Sequence, residues 1–216
     1  MARKVGSAGK TLARRLGRIA LVLLGFGFAV WLLVQLFAPW MGALALPLAF
    51  LAVMRLLQDK EVEREVVAKA RGYLGEARVG RVLEALPSPW RVFHDVDLGG
   101  ENADHVVVGP AGVFNVEVKN YTGLIRATPQ GLWVRGERRD DLVRQAWRQA
   151  HKLRELLGVE VEPLLVFVGG RLEGRRVGRL PVLPPEEVGA YLRGLPARLS
   201  FTEAQRVSEL LEGRVR

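Results

Sequence analysis

Residues 103–120 read ADHVVVGPAGVFNVEVKN, and the architecture of the chain follows from them. Two β-branched runs flank the turn-forming tetrapeptide Gly-Pro-Ala-Gly, which predicts a β-hairpin centred in the middle of that tetrapeptide. In a symmetric hairpin, Asp104 faces Glu117 directly, and Lys119 lies on the same face two residues further along. The sequence therefore predicts two carboxylates and a lysine on one face of a sheet.

Two facing carboxylates repel each other, so this pairing is unfavourable unless a cation lies between them. Oxygen ligands from one or two carboxylates, completed by water, suit Mg²⁺. We therefore predict a site for Mg²⁺ or Mn²⁺ held by Asp104 and Glu117. Lys119 beside it could orient an attacking water or stabilise negative charge. The alternative is an ordinary exposed Glu-x-Lys strand in which Asp104 and Lys119 simply pair.

The remaining periodicities predict an α/β domain with a mixed central sheet flanked by helices. Thr202 is predicted to cap the last helix. The predicted elements are a helix over 59–86, strands over 90–96, 105–108 and 113–118, a small hairpin over 124–127 and 132–135, a helix over 141–157, a strand over 164–168, an irregular basic hairpin or loop over 171–183, and short helices over 186–192 and 202–211.

These motifs resemble the nuclease-related domain (NERD) family, a branch of the PD-(D/E)XK nuclease-like fold. Asp104 opens DHVVVGP, and GVF, a Glu-x-Lys and NYTG follow in order up to residue 123. A Gly-Glu pair precedes them at Gly75-Glu76, and a helix glutamine follows at Gln145 within RQAWRQAHKLRELLG. The resemblance covers residues 70–168.

The resemblance implies the PD-(D/E)XK nuclease-like fold, with Asp104 and Glu117 as metal ligands and Lys119 as the water-activating lysine. It also implies that Glu76 is an additional acidic site residue and that Gln145 touches the site or the scissile phosphate. For both of these the alternative is a plain surface side chain. Glycines cost stability inside a helix, so those at 72, 75 and 80 indicate close backbone approach near Glu76.

The N-terminal part of the chain predicts a membrane anchor. Residues 19–57 are almost wholly apolar, and Ile19–Ala38 alone is long enough to cross a bilayer as a helix. Pro39 separates this run from a second one, so we predict a transmembrane hairpin after a basic tail over 1–18. The alternatives are a buried helical pair and a second run that is re-entrant. Residues 58–216 are predicted to form the nuclease-like domain.

Six of the nine net positive charges precede Ile19, so the basic balance is mainly a membrane-flanking feature. It predicts that the tail and the soluble domain face the cytoplasm. The chain has no cysteine, which excludes disulfides and thiolate metal sites, and its three histidines are interpreted as structural. The function predicted is metal-dependent hydrolysis of DNA or RNA at the membrane. The alternatives are a non-catalytic module that binds nucleic acid or protein, and a pure membrane scaffold.

Overall fold

The computed structural model describes residues 3–5, 21, 23–32, 36, 48, 50–52, 55 and 60–215. Its contacts divide the chain into two compact units, one comprising Lys10–Arg71 and the other comprising Met1–Gly9 together with Gly72–Arg216. The second of these units contains every strand and the residues of the predicted site.

Among the described residues from 60 to 215, four helices follow the predicted order: α1 (Lys60–Glu84), α2 (Asp140–Leu157), α3 (Pro185–Gly194) and α4 (Phe201–Glu212). Helix α2 buries one apolar stripe and ends at Gly158, whose φ of 67° is the left-handed conformation that glycine adopts without strain. The prediction for the start of α4 was wrong. Its cap is Ser200, which forms a reciprocal capping box with Glu203, whereas Thr202 lies inside the helix.

In the part of the chain that the structure describes, eleven strands form two sheets. The seven-stranded main sheet has the order β1-β2-β3-β4-β8-β11-β10, and the four-stranded sheet has the order β7-β6-β5-β9. The strands are β1 (Arg3–Val5), β2 (Arg91–Asp97), β3 (Asn102–Gly109), β4 (Gly112–Asn120), β5 (Leu124–Thr128), β6 (Gly131–Val134), β7 (Glu137–Arg138), β8 (Val161–Val168), β9 (Arg171–Glu173), β10 (Arg176–Val177) and β11 (Leu180–Leu183).

The central hairpin has the predicted register. Strands β3 and β4 pair antiparallel from Gly109 opposite Gly112 to His105 opposite Val116, which places the centre of the turn where the tetrapeptide predicted it. Strand β4 then pairs parallel with β8, and β8 pairs parallel with β11. The sheet is therefore mixed, as the sequence predicted.

Helices cover the main sheet on both faces. On one face, Val79 and Leu83 of α1 pack with Val107 and other side chains of β2, β3, β4 and β8. On the other face, Leu153 of α2 and Leu211 of α4 pack against the alternate side chains of β2, β3 and β4. This alternation follows from the two-residue period of a strand. A third apolar cluster joins the small sheet to α2 and β8.

Two parts of the sheets differ from the sequence prediction. The stretch 171–183, predicted as an irregular hairpin or loop, supplies β9, β10 and β11, and β11 is a buried strand beside β8. Strand β11 has only four residues, which are too few to show the alternating pattern of a strand. Strand β1, which was not predicted, pairs parallel with the outer edge of β2.

Most of the predicted transmembrane hairpin lies outside the described residues. Those that are described between 21 and 52 are helical and exposed, with Leu21 and Phe26 each 71% exposed. Within the described part of the chain, no helix is long and apolar enough to cross a membrane.

Candidate active site

The candidate site begins where the pairing of β3 and β4 ends. The ladder stops at His105 opposite Val116, one residue before Asp104 would face Glu117. The Asp104 carboxylate instead accepts a hydrogen bond from the backbone N–H of Val118 through Oδ2, at 2.7 Å. A side chain has thus taken the place of a backbone acceptor, which fixes the Asp104 carboxylate against β4.

Glu117 is the centre of the site. It is only 1% exposed, and its Oε1 accepts hydrogen bonds from Lys119 Nζ at 2.5 Å and from Gln145 Nε2 at 2.7 Å. Its Oε2 is buried and has no hydrogen-bond partner in the described part of the chain. The structure therefore brings Glu117, Lys119 and Gln145 into direct contact, and Gln145 is not a plain surface residue.

Negative charge is concentrated around Asp104. Burial raises the pKa of this half-buried carboxyl well above its ordinary value, and the nearby carboxylates of Glu117 and Glu76 raise it further. The Val118 N–H and the Lys119 ammonium act in the opposite direction but do not compensate. The ionised form of Asp104 is therefore unfavourable, and a cation bound beside it would stabilise that form.

Lys119 is 19% exposed in its side chain. Burial opposes its charge, but Glu117 and then Asp104 outweigh burial, so that the pKa of the ammonium is raised above its usual value. At neutral pH, Lys119 is therefore a positive charge and a hydrogen-bond donor. The water-activating role that the family resemblance implies for it stays a prediction, since an ammonium cannot accept a proton.

Glu76 reaches the site from α1, on the face of the sheet opposite α2. Its pKa is raised from 4.5 to about 7, first by burial, then by Asp95 and Glu117, while Lys119 lowers it. Its backbone carbonyl accepts a hydrogen bond from His105 Nε2 at 3.2 Å. Glu76 is thus electrostatically coupled to the site rather than a free surface glutamate.

The glycines of α1 differ in how closely other residues approach them. A Cβ added at Gly75 would lie 3.2 Å from Cβ of Asn120, and one at Gly80 would lie 3.3 Å from Cε1 of His94, so both mark a close approach to the sheet. The prediction was wrong for Gly72, around which nothing lies within 4 Å.

Replacing Glu76 with glutamine is expected to stabilise the protein at pH 8 but not at pH 4. The folded-state pKa is raised, so that the native state binds more protons than the unfolded chain between pH 4.5 and about 7. Below that window both states are protonated and the substitution is neutral. Above it, Glu76→Gln removes an unfavourable charge, worth roughly 1–2 kcal/mol after allowance for solvent screening of this half-buried group.

Thermal unfolding of the wild type and of Glu76→Gln at both pH values measures this effect. The matched control is Glu209→Gln, because Glu209 is exposed on α4. Equal stabilisation of Glu76→Gln at pH 4 and pH 8 would show that the glutamate carries no unfavourable charge.

Sequence reasoning missed Asp95. It lies in the middle of β2 with φ of 55°, and the pairing of β2 with β3 skips this position. Asn102 Nδ2 donates a hydrogen bond to its Oδ1 at 2.7 Å, and its charge raises the pKa of Glu76. The available signal was an acid inside the run RVFHDVD, which otherwise has the character of a buried strand.

The donor set suits a hard divalent cation better than a softer metal, because the site offers carboxylate oxygens and no sulfur. The buried, unbonded Oε2 of Glu117 and the crowded Asp104 carboxyl are the two groups that such an ion would satisfy. Among the described residues, no group of three or more histidine or acidic side chains is arranged around one metal position. A site built on these two carboxylates would therefore take its remaining ligands from water or substrate.

Comparison with known proteins agrees with the motifs. Residues 71–168 match the family profile of the nuclease-related domain. The chain is 35% identical over 103 residues to an uncharacterized protein of Bacillus anthracis, and the match covers 44% of this chain and 48% of that protein. The chain therefore spans about half the length of this curated relative.

Among solved structures, SfsA of Pyrococcus furiosus in complex with Ca²⁺ is similar over 66% of this chain and 54% of that chain, at 13% identity. The TM-score of 0.25 is too low for this likeness to bear on the fold or the site. What the comparisons show is that residues 71–168 match the nuclease-related domain.

Proposed function

We propose that the nuclease-related domain hydrolyses phosphodiester bonds of DNA or RNA with the help of a bound divalent cation, Mg²⁺ or Mn²⁺. The observation that carries the proposal is the hydrogen bonding of the Glu117 carboxylate. One carboxylate oxygen is held by Lys119 and Gln145, while the other is buried without a hydrogen-bond partner among the described residues. A buried, uncompensated carboxylate oxygen costs stability, and a cation between Glu117 and Asp104 would remove that cost.

Asp104 and Glu117 are the residues that would hold the cation. When bound, a divalent ion supplies Lewis acidity toward a phosphoryl oxygen and a template for the reacting groups. The protein fixes both ligands in advance, because Val118 N–H orients Asp104 and Gln145 orients Glu117. Ligands whose orientation is set by a second contact bind metal more tightly than free ones.

The other side chains have complementary roles in this proposal. In this proposal, the Lys119 ammonium stabilises the negative charge that develops on the phosphoryl group in the transition state. Glu76, with a pKa of about 7, is suited to accept a proton from the attacking water. This division assigns the positive charge to the lysine and the proton transfer to the glutamate.

A cleft beside the end of β4 supports nucleic acid as the substrate. It has a volume of about 280 Å³, and its lining includes Arg78, Phe167, Arg175, Glu186 and Glu187, with Arg175 already paired to Glu187. Phe167 lies opposite Lys119 in the pairing of β4 with β8. Arginine recognises phosphate through paired hydrogen bonds, and in this proposal the exposed Arg78 contacts the phosphate backbone of the substrate.

The test is a cleavage assay with the purified full-length chain. Single-stranded, duplex and branched DNA, and RNA, are incubated with and without Mg²⁺ or Mn²⁺, and ion binding is measured by calorimetry. We expect cleavage of at least one substrate that depends on the ion. Neither cleavage nor ion binding would overturn the proposal and would favour a non-catalytic module, for which nucleic-acid binding without cleavage is the positive sign.

We further propose that residues 19–57 anchor the chain in the cytoplasmic membrane with the nuclease-related domain in the cytoplasm. The support is that the described helical residues of this stretch, such as Leu21 and Phe28, expose large apolar side chains. In addition, β1 pairs with β2 of the domain, so residues 3–5 lie on the same side of any membrane as the domain. An apolar stretch between them must cross an even number of times, as a hairpin does.

Single cysteines in this cysteine-free chain are expected to report that topology. The sites are Ser7 in the basic tail, Pro39 between the apolar runs, and Thr202, which is exposed and is not the cap of α4. A membrane-impermeant thiol reagent added to intact cells should label only the cysteine at 39. Labelling at 202 in intact cells would overturn the orientation, and equal labelling of all three after lysis is the control for accessibility.

A further inference from the structure

The mechanism proposed above leaves a buried histidine pair without a role. His94 on β2 and His105 on β3 are both 0% exposed and lie opposite each other in the strand pairing. Their rings meet edge to face with centroids 4.9 Å apart, and the two Nδ1 atoms are 2.7 Å apart. Two ring nitrogens at this distance share one proton, because one must donate while the other accepts.

The outer nitrogens define the rest of the proton count. His105 Nε2 lies 3.2 Å from the backbone carbonyl oxygen of Glu76, which can only accept, so this nitrogen carries a hydrogen. His94 Nε2 lies 3.1 Å from Glu84 Oε1, but the two atoms do not have hydrogen-bond geometry. The contacts of the pair therefore require two protons, one between the two Nδ1 atoms and one on Nε2 of His105.

Both ends of the pair attach to the same helix. Glu76 and Glu84 are eight residues apart on α1, and Gly80 lies midway between them. A Cβ at Gly80 would lie 3.3 Å from Cε1 of His94 and 3.5 Å from Cε1 of His105. The missing side chain therefore makes the room in which the two imidazoles contact the helix.

We propose that His94 and His105 form a proton-sharing pair that positions Glu76 at the carboxylate site. Glu76 belongs to the helix on the far face of the sheet, and its carbonyl is bound directly by His105. The pair also adjoins the acids in sequence, since Asp95 follows His94 and Asp104 precedes His105. The positioning role rests on the proposed function, whereas the proton count does not.

The proton count is tested by ¹⁵N-resolved NMR of the histidine rings in the purified full-length chain. There are only three histidines, and His151 is exposed at 67% of its side chain, so His151→Gln removes the one signal from outside the pair. We expect Nδ1 of His94 and Nε2 of His105 to be protonated, with a slowly exchanging proton between the two Nδ1 atoms. If both rings instead show the mixed tautomers and fast exchange of His151, the pair is overturned.

The positioning role is tested with Gly80→Ala and its matched control Gly72→Ala, which lies in the same helix with nothing within 4 Å. Because the imidazoles are held at both ends, Gly80→Ala should displace them, abolish the shared-proton signal, and weaken Mn²⁺ binding at least tenfold. Gly72→Ala should leave the signal and Mn²⁺ affinity unchanged. Loss of the signal with wild-type Mn²⁺ affinity would overturn positioning.

The remaining outcome separates this inference from the proposed function. If the wild-type chain binds no Mn²⁺, the proposed function fails and the positioning role fails with it. The proton count is then still decided by the ring spectrum alone, which requires neither metal nor substrate. His94→Gln provides a second variant, expected to lose the shared-proton signal while keeping a hydrogen-bonding side chain of similar length at this position.

Discussion

Asp104→Asn is expected to lower divalent-ion affinity by at least about 100-fold and cleavage by at least about 1,000-fold, while raising the stability of the ion-free protein. The amide oxygen can still accept the Val118 N–H, so the end of β4 stays in place. The lost charge is one of the two that would bind the ion. The same charge is unfavourable in the apo protein, because burial and then Glu117 raise the pKa of Asp104.

This opposite effect on binding and stability is a specific signature, measured by calorimetry and thermal unfolding without added metal. Asp141→Asn is the matched control, because Asp141 lies on the exposed start of α2 and pairs with Arg139. That pairing lowers the pKa of Asp141, so its removal should destabilise slightly and leave ion affinity unchanged. If Asp104→Asn destabilises the apo protein and binds the ion normally, Asp104 is a structural residue.

Lys119→Ala is expected to lower turnover by about 100- to 1,000-fold, the usual cost of losing a charge that stabilises the transition state. Ion affinity should be retained or increased, because the variant loses a positive charge 2.5 Å from Oε1 of Glu117, the oxygen next to the proposed ligand atom of the same carboxylate. Gln145 still donates to Glu117 in the variant, which preserves the orientation of the ligand. Single-turnover cleavage and calorimetry measure the two effects separately.

Lys152→Ala serves as the control for loss of a lysine, since Lys152 pairs with Glu101 on a different part of the surface. Lys119→Arg adds a second comparison, because it keeps the charge but has a longer and planar group. We expect partial activity from the arginine variant. Cleavage by Lys119→Ala at the wild-type rate would mean that the activity comes from elsewhere in the preparation or from another site.

The sequence predicted the parts of the site that depend on local geometry. A symmetric turn fixes the register of the hairpin, so the faces of Asp104, Glu117 and Lys119 followed from counting. Gln145 followed from the family motif and from its place on α2. What the hairpin could not show is that pairing ends before Asp104, which frees the carboxylate to bind Val118.

The parts that were missed include a second hairpin. His94 and His105 meet because β2 pairs with β3 in the register that the Gly99-Gly100 turn sets, a turn signal that the sequence analysis did not use. Asp95 lies near the candidate site with a positive φ, a conformation that aspartate tolerates but that the sequence alone does not predict. The capping box of α4 was readable in principle, since Ser200 and Glu203 have the required spacing.

Without the segments that pair with its outer side, strand β2 would be an exposed edge strand of the main sheet. Its first residues pair with β1, and further along Val96 bridges Val215 while Asp97 N–H donates to the carbonyl of Arg214. Unpaired edge strands favour edge-to-edge association between chains. Deleting residues 3–5 would open the backbone of residues 91–93, so a fragment trimmed to improve solubility would acquire a new route to self-association.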